Sequence, residues 1–88
     1  MTVRAKFKVN KIERTEYSRS TEGGNLQFFE LQTIVMNPIY SNEKESENRK
    51  FWESSPTGEI RLGTINKSAA DYFELGKEYY IDFKKVGE

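Results

Sequence analysis

Apolar and polar residues alternate from the start of the chain. Val3, Ala5, Phe7 and Val9 fall on one face and Arg4, Lys6, Lys8 and Asn10 on the other, the period-two pattern of a half-buried strand. Ile12 breaks the phase, which predicts a bulge or the strand's end near Lys11. Residues 18–25, SRSTEGGN, hold no apolar side chain and read as a loop or long hairpin connection. Residues 26–36, LQFFELQTIVM, form a strong β segment with Phe29, Leu31 and Val35 on one face and Leu26, Phe28, Ile34 and Met36 on the other. Apolar residues on both faces fit a strand of a small barrel, one side packed inward and the other covered by a loop or a second subunit. Asn37-Pro38 ends this strand.

The second half of the chain is more broken. Residues 41–50, SNEKESENRK, mix three acidic with three basic side chains and predict a solvated excursion. Residues 51–53 and 59–65 flank SSPTG, whose Pro56 and Gly58 suit a tight turn, so a hairpin is expected there. Asn66 or Ser68 can cap a short helix in KSAADYFELG, with Gly76 where a left-handed stop is expected. Residues 77–85 return to alternation with Tyr79, Ile81 and Phe83 inward. These elements predict an all-β fold with one short helix: a five-stranded, mostly antiparallel barrel. SH3-like strand order is preferred over the oligonucleotide-binding order, because the helical turn precedes the last strand. Residues 1–88 are expected to be a single domain, since two cores could not each bury enough surface.

Composition narrows the chemistry. With 14 basic and 14 acidic residues the formal net charge is zero, which argues against coating nucleic acid by electrostatics alone. There is no cysteine and no histidine. That removes disulfides, the usual zinc sites, histidine-based triads and the commonest general base. The carboxylates nearest the expected elements, Glu30, Asp71, Glu78 and Asp82, show no acid–base spacing, so a non-enzymatic protein without metal or cofactor is expected. No stretch approaches the roughly 18 apolar residues of a membrane helix, and no leader-like signature opens the chain, so no membrane partner is expected.

Two blocks carry a resemblance: VRAKFKVNKIE at 3–13 and FWESSPTGEIRLGTINKSAADYFELGKEYYIDF at 51–83. Together they resemble a group of short phage and prophage proteins that open on a basic-aromatic strand and close on an F-x-x-G-K-E-Y-Y-x-D-F block, here residues 73–83. The resemblance implies a viral origin and a small β fold, and it carries over no catalytic residues; with neither a membrane helix nor a leader expected, the expected location is the cytoplasm of the infected host cell.

The candidate ligand contacts follow from cations and aromatics together. Arg4, Lys6 and Lys8 form a stripe of like charge on one strand face, suited to phosphate or, alternatively, to discouraging edge pairing. Three aromatic doublets, Phe28-Phe29, Phe51-Trp52 and Tyr79-Tyr80, would each point one ring inward and one outward on a strand. The outward rings would serve an oligomer interface or stack on bases. The expected ligand-binding set is Arg4, Lys6, Lys8, Phe51, Trp52, Arg61 and Tyr80. The function expected first is capture of a nucleotide-type ligand, such as a host defence signalling nucleotide, by a homo-oligomer. The alternatives are a single-stranded DNA or RNA binder of phage replication or recombination, and a virion component or inhibitor that docks on a host protein.

Overall fold

The computed structural model describes residues 3–40 and 46–87. The elements run β1 (Val3–Ser20), β2 (Leu26–Pro38), α1 (Glu47–Trp52), β3 (Ile60–Thr64), α2 (Lys67–Asp71) and β4 (Glu78–Phe83). The four strands make one antiparallel sheet in the order β3-β2-β1-β4. No helix among the described residues is long and apolar enough to cross a membrane.

The alternation read from the sequence sets the faces. Ala5, Phe7 and Val9 of β1 and Ile34 and Met36 of β2 form the buried cluster, against which Ile12, Trp52, Ile60, Phe73, Tyr79 and Ile81 pack. The expected phase break is a register shift between Val9 and Lys11: Val9 faces Met36, and Lys11 faces the next residue along β2, Val35. Asn10 is the extra residue, and its side-chain amide donates to Asn37 Oδ1 at 2.7 Å. The bulge returns Ile12 to the core face opposite Ile34. Were Asn10 paired in regular register instead, Lys11 would occupy the core face.

The sheet is open, and the expectation of a closed five-stranded barrel is corrected. Residues 51–53 do not form the first arm of a hairpin, because helix α1 runs through Phe51 and Trp52. Ser46 caps it by accepting from the Arg49 N–H, Glu47 lies in its first turn, Arg49 and Lys50 lie in its last, and Glu53 stops it in a left-handed conformation. One expected strand is thereby lost and a second helix gained. Closure fails for a further reason: β3 pairs only with β2 and β4 only with β1, which leaves them as the two edges. The one helix expected is present as α2, capped by Asn66, and Gly76 at φ 82° makes the turn into β4. Of the polar stretch 41–50, residues 41–45 lie outside the described residues.

A single side chain ties α1 to the sheet. Pro38 is the last residue of β2, and one step beyond it the Ile39 N–H still donates to the Lys6 carbonyl at 3.2 Å. The return bond of that rung is replaced by the buried amide of Asn48. Its Oδ1 accepts from the Lys6 N–H at 2.6 Å, and its Nδ2 donates to the carbonyls of Ile39 at 2.7 Å and of Lys6 at 2.8 Å. Asn48 therefore acts as a wedge of surrogate backbone that lets β2 leave the sheet without orphaned groups. On the next turn Trp52 rests on Phe7, with ring centroids 6.1 Å apart.

The core occupies one end only. β4 pairs with β1 over Val3–Lys8 and β3 with β2 over Gln32–Met36, so the rest of the hairpin projects as a two-stranded arm. The molecule is 56 Å long and 19 Å thin as a result. The arm closes through a turn in which the Thr21 N–H donates to the Asn25 carbonyl at 2.8 Å and Gly24 takes φ 80°.

Replacing Asn48 with alanine leaves the Lys6 N–H and the Ile39 carbonyl without their partner. The expected cost is about 2–3 kcal/mol of folding stability, read as a lower urea midpoint at unchanged slope. A loss under about 0.5 kcal/mol, the range of an ordinary surface substitution, would contradict the wedge.

Candidate ligand site at the β1–β4 edge

The face of the sheet opposite the core carries the basic stripe. Cross-strand register sets Arg4 beside Asp82, Lys6 beside Tyr80 and Lys8 beside Glu78. The Arg4 guanidinium lies 4.7 Å and the Lys6 ammonium 5.4 Å from the Tyr80 ring centroid, both within cation–π range. Arg4 also donates to both carboxylate oxygens of Asp82, Nε at 2.7 Å and a terminal nitrogen at 3.2 Å. Lys6 lies 3.9 Å from Glu78. Among the described residues Lys8 has no such carboxylate partner. The stripe is thus a lattice of cations, carboxylates and one ring, with the charge largely balanced in place.

On the core face, around the edge formed by β4, lies an apolar groove of about 690 Å³. Buried Met36, half-buried Ile60, Phe73, Tyr79 and Ile81, and exposed Leu62 and Tyr72 line it. Glu78 and Tyr80 also reach it, and these two, with Tyr79, form a smaller recess with Lys6. The aromatic wall is ordered by Tyr79. Its hydroxyl accepts from the Glu74 N–H at 2.9 Å and donates to the Tyr72 carbonyl at 3.0 Å. Its ring stands 5.1 Å from Phe73 and 5.8 Å from Tyr72. Tyr72 itself is 70% exposed, so its ring is open to a ligand. Aromatic lining, this volume and a neighbouring cation are the ordinary ingredients of a small-molecule site.

The expected contact residues divide into three groups. Arg4, Lys6, Lys8 and Tyr80 come together at the β1–β4 edge. Phe51 and Trp52 do not join them, because both lie on α1 on the core side of the sheet. Trp52 packs on Phe7 and donates its ring N–H to the Thr57 carbonyl at 3.0 Å, while Phe51 is exposed beside Phe83 at 6.4 Å. The strand-like opposition expected for that doublet is corrected: on a helix, successive residues diverge by roughly 100° rather than pointing to opposite faces. Arg61 stands on the far edge strand, 3.0 Å from Glu59 and 4.0 Å from Glu13. Tyr72, Phe73 and Leu62 were not expected at a ligand site. The Tyr72-Phe73 doublet just ahead of Gly76 is the signal for them in the sequence.

No protein-family model matches the chain, and no curated protein and no solved structure is significantly similar to it.

Two exposed carboxylates with lowered pKa should add a small acid sensitivity to the fold. Hydrogen bonding from Arg4 holds Asp82 below its ordinary 3.8, and hydrogen bonding from Lys11 holds Glu13 below its ordinary 4.5. Both depressions favour the folded, charged form, so their contribution is present above the ordinary values and is lost as pH falls through the lower folded ones. Urea midpoints should decline below pH 4.5, the ordinary Glu13 value, and Asp82→Asn should flatten the lower part of that decline. An unchanged acid slope in Asp82→Asn would show that the Arg4 pair does not form in solution.

Proposed function

We propose that this protein is a non-catalytic phage binding module, acting in the cytoplasm of the host cell, that takes a small nucleotide-type ligand at the β4 edge. The observation that carries this reading is that the aromatic groove and the Lys6 recess lie against the same stretch of the edge strand β4 and share Glu78, Tyr79 and Tyr80 in their linings. A base would stack on Tyr72 in the groove, and its phosphate would reach Lys6 and Lys8. The charge balance supports a small ligand over a polyanion. Single strands bind through the summed release of counterions by many free cations, whereas Arg4 and Lys6 already face Asp82 and Glu78. One or two phosphates require only that Glu78 yield Lys6. Sequestration of a host signalling nucleotide would use such a site without chemistry.

A second reading, docking on a host or virion protein, is favoured by the arm, where Leu26 and Phe28 are each 60% exposed. Replacing Arg4, Lys6 and Lys8 together with serine would spare that activity.

Thermal denaturation with linear and cyclic nucleotides tests the ligand reading. At least one should raise the midpoint at high ligand excess. Tyr72→Ala should then weaken it about tenfold or more, in line with about 1–3 kcal/mol per stacked base. Lys6→Ser should weaken the nucleotide but not the matching nucleoside. No shift with any nucleotide would end this reading.

A further inference from the structure

The arm presents an open strand edge whose charges complement a copy of itself. β4 ends its pairing at Lys8, and the Val9 N–H and carbonyl are taken by Lys77 and Gly76. From Lys11 to Ser20 no described strand flanks β1 on that side. The bond from Thr21 to Asn25 closes the hairpin inward. By the alternation of an antiparallel ladder, odd-numbered residues of this stretch therefore bond β2, and Ile12, Arg14, Glu16 and Ser18 turn their N–H and C=O groups to the open edge. Such an edge is a template for another strand unless something blunts it. No proline interrupts it.

The electrostatics on the arm are incomplete. Glu16 faces Glu30 directly across the ladder, a like-charged pair that weakens a ribbon already marginal as two strands. Arg14 relieves Glu30, at 3.7 Å, and among the described residues Glu16 has no cation of its own. We propose that two copies of this chain pair edge to edge through β1, antiparallel about a two-fold axis at Thr15. In that register Arg14 of each copy opposes Glu16 of the other, and both belong to the set whose backbone groups face outward. Each Glu16 gains the cation it lacks, and each two-stranded arm becomes part of a four-stranded one. The register also opposes Lys11 to Arg19, but both are already engaged, Lys11 by Glu13 at 2.7 Å and Arg19 over the Phe29 ring at 4.8 Å. Zero net charge leaves no global repulsion between copies.

This pairing is independent of the nucleotide site, because β4 and the groove lie at the other end of β1. Sedimentation equilibrium of the full chain should give twice the chain mass. Glu16→Arg sets two arginines against each other and should weaken the dimer at least tenfold, and the double swap Arg14→Glu with Glu16→Arg should restore it. Glu16→Pro removes only an outward-facing N–H and should also give monomer, with far-UV circular dichroism confirming that each variant folds. A wild type that is monomeric at its highest soluble concentration overturns the proposal. So does a dimer that neither Glu16→Arg nor Glu16→Pro weakens, since it would use another surface.

Discussion

Backbone pairing along β1 is the constraint on which the other elements depend. The strand is 18 residues long, and it holds β4 along one side of its first third and β2 along the other side of most of its length. The apolar face of β1 must carry on from the β4 ladder into the β2 ladder, and the bulge at Asn10 allows this by keeping Ile12 on the face of Ala5, Phe7 and Val9. The alternation of residues 3–9 and that of residues 12–20 are out of phase by one, and the extra residue absorbs the difference. Asn48 completes the arrangement at the end of the β2 ladder by satisfying Lys6 and Ile39.

Openness and the candidate site share a cause. β3 and β4 have five and six residues and sit on opposite edges, too far apart in the sheet to pair with each other. The segment from α2 to β4 crosses the core face instead, and its rings cover that face only in part. Where Tyr72, Phe73 and Tyr79 stop short of Ile60 and Leu62, a groove remains. A closed barrel would have filled that space with inward side chains. The same shortness of β3 and β4 leaves the arm unflanked, so both candidate surfaces follow from strand length.

Much of the scaffold was legible because it rests on local patterns. The first part of β1, β2 with its apolar faces, the phase break beside Lys11, the Asn66 cap and the Gly76 turn each follow from period, turn chemistry or capping, whereas the run of β1 on to Ser20, through three residues expected in a loop, has no apolar period to announce it. Helix α1 was not legible, since six residues are too few for a 3.6-residue period to stand out, and its anchor, Asn48, bonds to Lys6, 42 positions away. At the candidate site, alternation brought Arg4, Lys6 and Lys8 to one face, and register added Tyr80. What alternation could not reveal is that β4 would set Asp82 and Glu78 among the cations. Arg61 was misplaced for the same reason, because strand order is a property of the whole sheet. Phe51 and Trp52 were misplaced by the helix.

Neutrality at the level of the chain and neutrality at the level of each patch have different consequences. A protein with zero net charge can still carry a strong basic field on one face if its acidic residues lie elsewhere. Here they do not: Asp82 lies on Arg4, Glu78 near Lys6, Glu13 on Lys11 and close to Arg61, and Glu30 near Arg14. Long-range attraction for a polyanion is thereby cancelled at short range, within the screening length of roughly 8 Å at physiological salt. Recognition must then come from contact rather than from steering. The features left to supply contact are apolar rings with an open face, cations that can exchange partners and backbone groups along an open edge, and all three occur on this molecule.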